Sequence, residues 1–160
     1  LHGNEDVSPY VISLHIAGMF AFSPLVGKYA DRYGRVNAIF LGAVLLVVAS
    51  ALSAVSGEGN PMLFPSLWLL GIGWNFGFIG ATTMLASSYT ENERGKAQGM
   101  NDFFVFGFVT LASLASGSLM NCSANTPADG WTSVNLAMIP FLILAGCSLI
   151  WLSKKDLEKI

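Results

Sequence analysis

The sequence predicts an all-α membrane protein, a bundle of five transmembrane helices, and three observations carry that prediction. Of the 160 residues, 53% are hydrophobic and only 11% charged, whereas a soluble domain carries about 25% charged residues to cover its surface. Apolar stretches of the roughly 20 residues a helix needs to cross the hydrocarbon core recur along the whole chain. Apart from Asp102, charged residues are confined to the gaps, and all eight bases fall in alternate ones.

The spans are expected at about 7–27, 36–57, 61–87, 97–121 and 131–153. The first is interrupted only by His15. Linkers are short, so consecutive helices should run antiparallel as neighbours in one bundle. In the third span Gly73, Gly77 and Ala81 recur every four positions, as do Ser113 and Gly117 in the fourth. Small residues in that register let helices in lipid approach closely, although a glycine-rich sequence also produces the spacing by chance. Gly71, Gly73, Gly77 and Gly80 together should make the third span easier to bend. Thr90 followed by Glu93 has the form of a capping box and marks where the fourth span starts. Cys122 and Cys147 fall near opposite faces of the membrane, too far apart to bridge, and read as small packing residues.

Orientation follows from the bases, which accumulate on the cytoplasmic side. Lys28, Arg32 and Arg35 lie between spans one and two, Arg94 and Lys96 between three and four, and Lys154, Lys155 and Lys159 in the tail. The segments on the other side, 1–6, 57–61 and 121–130, hold Glu5, Asp6, Glu58 and Asp129 but no base. Random placement would give such segregation on the order of one time in a hundred. The first span therefore enters from outside and the C-terminus is cytoplasmic, in the cell (inner) membrane. The chain begins at Leu1 with no signal-peptide pattern, which suggests a start within a larger protein.

Several chemistries find no support. The chain has no Gly-rich phosphate loop, no cluster with metal-ligand spacing, and only His2 and His15 for any catalytic set. Neither enzyme activity nor a cofactor is indicated, and the bases are too sparse for nucleic acid. Asn121-Cys122-Ser123 has the form of a glycosylation acceptor but abuts a span, and is discounted.

The segment Gly27-Lys28-Tyr29-Ala30-Asp31-Arg32-Tyr33-Gly34-Arg35 reads as a tight, charged cytoplasmic loop. Gly27 and Gly34 would turn the chain at the helix ends, Asp31 would accept hydrogen bonds, and Arg32 and Arg35 would pair with acids or lipid phosphates. Such a cluster can latch one arrangement of helices and release another. The plainer reading is an ordinary positive-inside loop.

Here the sequence resembles the major facilitator superfamily, whose signature loop reads Gly, three residues, Asp, Arg, an aromatic, Gly, Arg. Gly27, Asp31, Arg32, Tyr33, Gly34 and Arg35 match it in order and spacing. Tyr29 stands where leucine is common, and Val36-Asn37 replaces further bases. The resemblance implies a twelve-helix fold of two six-helix halves, of which residues 1–160 would be a partial transporter half. The signature occurs in both halves, so the spans are helices two to six or eight to twelve. The short tail after Trp151 and the lack of a base between Leu69 and Gly80 favour eight to twelve. The implied function is secondary active transport of a small solute by alternating access, as symport or antiport, with protons as a candidate coupling ion. Implied partners are the bilayer, the missing N-terminal half and a small-molecule substrate. A receptor or assembly partner on the same scaffold is the competing class.

Ionisable groups inside a bilayer are costly and often mark a transport path. His15 lies mid-span and either exchanges protons or serves as a neutral hydrogen-bonding residue. Asp102, about three turns above the Thr90–Glu93 box and within or just under the bilayer, either carries a proton or pairs with an arginine of the charged loop. Trp74, Asn75 and Phe76 place a polar side chain between aromatics at mid-membrane, suited to a small-molecule cavity or to plain packing. Asn101, Asn135 and Ser116 are candidates for hydrogen bonds between helices.

Overall fold

The computed structural model describes residues 8–55, 62–122 and 127–157. Its α-helices are α1 (Ser8–Phe20), α2 (Ser23–Tyr33), α3 (Arg35–Val55), α4 (Leu63–Ala86), α5 (Arg94–Cys122) and α6 (Pro127–Leu157), with a single 3₁₀ turn at Glu91–Glu93. No strand occurs among the described residues. Among the described residues, five stretches are long and apolar enough to cross a membrane: Pro9–Tyr33, Arg35–Ala54, Leu63–Ala86, Glu91–Met120 and Thr132–Lys154. At 1.5 Å per residue each reaches about the 30 Å of a hydrocarbon core.

The first stretch differs from the uninterrupted span expected. It is broken at Ala21–Phe22, and its second piece, α2, continues through the segment read as a loop. Only Gly34 separates α2 from α3. Two residues explain this. Pro24 lies in the first turn of α2, where a missing N–H is tolerated but the helix cannot continue smoothly from before. Gly34 takes φ 96°, ψ 146° and is the one described glycine with positive φ, a conformation that side chains disfavour. Gly27, expected to turn the chain, sits inside α2 instead.

Helix ends are closed locally. Asn37 Nδ2 donates to the Tyr33 carbonyl at 2.7 Å, and Gly34 N to the Ala30 carbonyl at 3.0 Å, which serves two of the last carbonyls of α2. The expected capping box is present: Glu93 Oε2 accepts from Thr90 Oγ1 at 2.9 Å and Thr90 N at 3.3 Å. The turns read at 57–61, the acceptor residue Ser123 and the terminal Lys159 lie outside the described residues.

The chain divides into two compact units, Leu1–Ala81 with Pro140–Ile160, and Thr82–Ile139. In the first, α4 packs against α1 and α3 through very short approaches. A Cβ added at Gly71 would collide with the His15 carbonyl, and one at Gly42 would lie 2.7 Å from Gly77 N and 2.8 Å from Gly73 O. Residues of this unit make the core: Val26, Ala30, Ala38, Ala49 and Leu149, with polar Ser66 and Asn75. In the second unit, α5 exposes Phe103, Phe106, Phe108, Leu111 and Leu114 along its length.

Candidate functional site

The break in the first span gathers the polar chemistry of its unit. In a continuous helix each carbonyl accepts from the amide four residues on; Pro24 has no N–H for Phe20. Backbone bonds near the break run from Ala21 N to Ala17 O at 2.8 Å, and from Leu25 N and Val26 N to Phe22 O, each at 2.9 Å. Phe22 itself has φ −90°, ψ 0°, and no side chain caps α2.

Asn75 of α4 reaches into this gap. Its Nδ2 donates to the Gly18 carbonyl at 3.3 Å, and its Oδ1 accepts from Ser23 Oγ at 3.5 Å. A carbonyl can only accept, so the amide nitrogen must face Gly18 and the oxygen Ser23. Asn75 is 1% exposed. A buried amide without partners would cost about 1–3 kcal/mol, so both bonds hold it in this pose. Close approach makes the reach possible: a Cβ on Gly18 would lie 3.0 Å from Trp68 O.

His15 lies one turn before Gly18, its Nδ1 2.7 Å from the Leu67 carbonyl. The acceptor fixes the proton on Nδ1 and leaves Nε2 to accept when the ring is neutral. Together His15 and Asn75 fasten α1 to α4 at two levels, with an edge-on contact of Phe22 and Trp68 beside them (ring centroids 6.2 Å apart). Trp74 faces differently and stacks on Phe78 at 6.1 Å.

The charged motif occupies the end of α2. Asp31 and Arg32 are exposed, Arg35 is partly covered, and no ion pair joins any of them to another described residue. Arg32 lies 5.5 Å from the Tyr33 ring centre, within cation–π range. Tyr29, the departure from the signature, packs edge-on against Phe76 of α4 (5.5 Å) and beside Tyr33 (4.8 Å). An aromatic one turn before Tyr33 gives α2 a packed face, which the departure from leucine at Tyr29 supplies.

Asn101 and Asp102 belong to the second unit and bond to each other, Asn101 Nδ2 to Asp102 Oδ1 at 3.1 Å. Ser116, expected to bridge helices, bonds within α5 to the Ser113 carbonyl at 2.9 Å. Asp102 is exposed. No group of three or more potential metal ligands occurs among the described residues.

Comparison with known proteins agrees with the all-helical membrane fold. Residues 1–160 match the Major Facilitator Superfamily. The riboflavin transporter RfnT of Brucella anthropi is 42% identical over 93% of this chain, which spans 36% of that protein. An uncharacterized MFS-type transporter, YddS of Bacillus subtilis, is 32% identical over 99% of the chain, spanning 35% of its own length. Multidrug resistance protein 3 of Bacillus subtilis is 26% identical over 98%, spanning 29%. The chain therefore covers about a third of the curated relatives it matches. It is an integral membrane protein, and it belongs to the major facilitator superfamily.

Proposed function

We propose that the chain is part of a secondary transporter that moves a small organic solute across the cell membrane by alternating access. The supporting observation is the α2–α3 corner: Asp31, Arg32 and Arg35, free of ion pairs among the described residues, stand around a one-residue link. Such charges are available to pair across a closed cytoplasmic face in one state and to part in another. In this reading the corner is cytoplasmic and the chain supplies helices eight to twelve, because α4 carries no base. Substrate would lie between this chain and the remainder of the transporter. His15 and Asp102 are the proton-coupling candidates, Asn101 a hydrogen-bonding neighbour of Asp102, and Trp74 with its aromatic neighbours the substrate-facing ones.

Riboflavin is the first solute to test, since the relative at 42% identity is named for carrying it. Full-length protein containing this chain, reconstituted in vesicles, should accumulate radiolabelled riboflavin in response to a pH gradient. Asp31→Asn should slow uptake at least tenfold while binding persists, and Asp102→Asn should blunt the pH response. Uptake that ignores both the gradient and Asp102→Asn removes proton coupling through that residue. A protein that binds solutes but moves none would instead be a receptor on this scaffold.

A further inference from the structure

Two polar side chains are buried in the described structure, and they behave differently. Ser66 bonds within its own helix, Oγ to the Leu63 carbonyl at 2.9 Å. Asn75 makes no bond within α4; both of its contacts cross to the far sides of one chain break, Gly18 at the end of α1 and Ser23 at the start of α2. Serving its own helix explains Ser66. It does not explain Asn75.

We infer that Asn75 is the pin of a hinge in the first span, a positioning residue whose amide replaces the interrupted backbone bonding at Ala21–Phe22. Two observations converge with one physical rule. Pro24 removes the donor that Phe20 O would meet in a continuous helix, so the span breaks at Ala21–Phe22; the carbonyl that Asn75 serves is Gly18's, whose partner in an unbroken helix would be the Phe22 amide. In hydrocarbon a freed backbone carbonyl must find a donor elsewhere, and a neighbouring helix is the usual source. Asn75 Nδ2 reaches the Gly18 carbonyl, and its Oδ1 holds Ser23, so a single side chain grips both pieces of the span.

The consequence is mechanical coupling. α2 carries Asp31 and Arg32, and α4 carries the pin, so movement of α4 past α1 reaches the charged corner through Asn75. Resting on the transport reading above, Asn75 would set the rate of the conformational step rather than hold solute. Its substitution should lower kcat and leave KM nearly unchanged.

The test uses full-length protein in lipid nanodiscs and reads amide hydrogen exchange across residues 18–26, which does not depend on transport. Asn75→Leu should raise exchange there at least tenfold, with little change in α3. Ser66→Ala, an equally buried polar loss on the same helix, should leave that segment within twofold of wild type. Pro24→Ala restores a backbone donor and should slow exchange across the break; combined with Asn75→Leu it should recover most of the lost protection. Asn75→Gln, which keeps the amide, should fall between Leu and wild type. Equal effects of Asn75→Leu and Ser66→Ala, or no response to Pro24→Ala, would overturn the hinge, and so would an Asn75→Leu protein that loses protection uniformly. If the exchange results hold but wild-type protein moves no solute, the hinge stands and the transport reading falls. In active vesicles, an Asn75→Gln protein whose KM rises at constant kcat would place Asn75 at the solute instead.

Discussion

α4 and α5 are both glycine-containing apolar helices of spanning length, yet they use their small residues in opposite ways. Gly71 and Gly73 of α4 sit against neighbouring backbone or side chains at about 3 Å or less from where a Cβ would be. Gly99 and Gly107 of α5 meet nothing within 4 Å. The apolar window of Glu91–Met120 buries none of its residues, while that of Leu63–Ala86 buries 22%. Composition alone therefore does not identify a packed membrane helix. What separates the two is whether glycine admits another backbone, because helices in lipid gain little from apolar surface and much from close contact.

Substitutions that add a methyl group test that contrast directly, with thermal stability of the full-length protein in detergent as the common measure. Gly71→Ala and Gly42→Ala should be the most damaging, each by about 2–3 kcal/mol, because the new atom meets backbone that cannot rotate away. Gly34→Ala should cost about 1–3 kcal/mol for a different reason, the positive φ at the α2–α3 corner, although space there is ample. His15→Phe keeps the ring volume but loses the bond to Leu67, and should cost about 0.6–1.7 kcal/mol, the range of hydrogen bonds between membrane helices. Gly107→Ala should be neutral or raise stability by up to about 1 kcal/mol, since alanine favours helix and nothing obstructs it. A loss there as large as that of Gly42→Ala would show α5 to be as tightly covered as α4, and the contrast would disappear.

How much of this could be read from residues alone varies by feature. Membrane class and helical fold rest on hydropathy, which requires no knowledge of partners. The Thr90–Glu93 box was readable because it is complete within four residues. The break at Ala21–Phe22 was not, since no charge interrupts the chain across it before Lys28; Ser23-Pro24 is the local signal for it. Asn75 is conspicuous in the sequence as a polar residue at mid-span. Its bonding to the α1–α2 break depends on atoms more than fifty residues away in sequence, which no local pattern encodes. In the glycine register, Gly73 meets Leu46, whereas a Cβ on Gly77 would touch nothing. Spacing shows which residues share a face, and only packing shows which of them are needed.

The single-residue link at Gly34 limits the ways the first two spans can move. One Cα step covers 3.8 Å, too little slack for α2 to slide by a turn or to rotate by one register about its own axis while α3 stays still. α2 and α3 are also in contact with each other. With so little slack, a tilt of α2 would carry the start of α3 with it. An inserted residue after Gly34 would act like a cut in a drive shaft: both helices would survive, but torque applied to one would no longer turn the other.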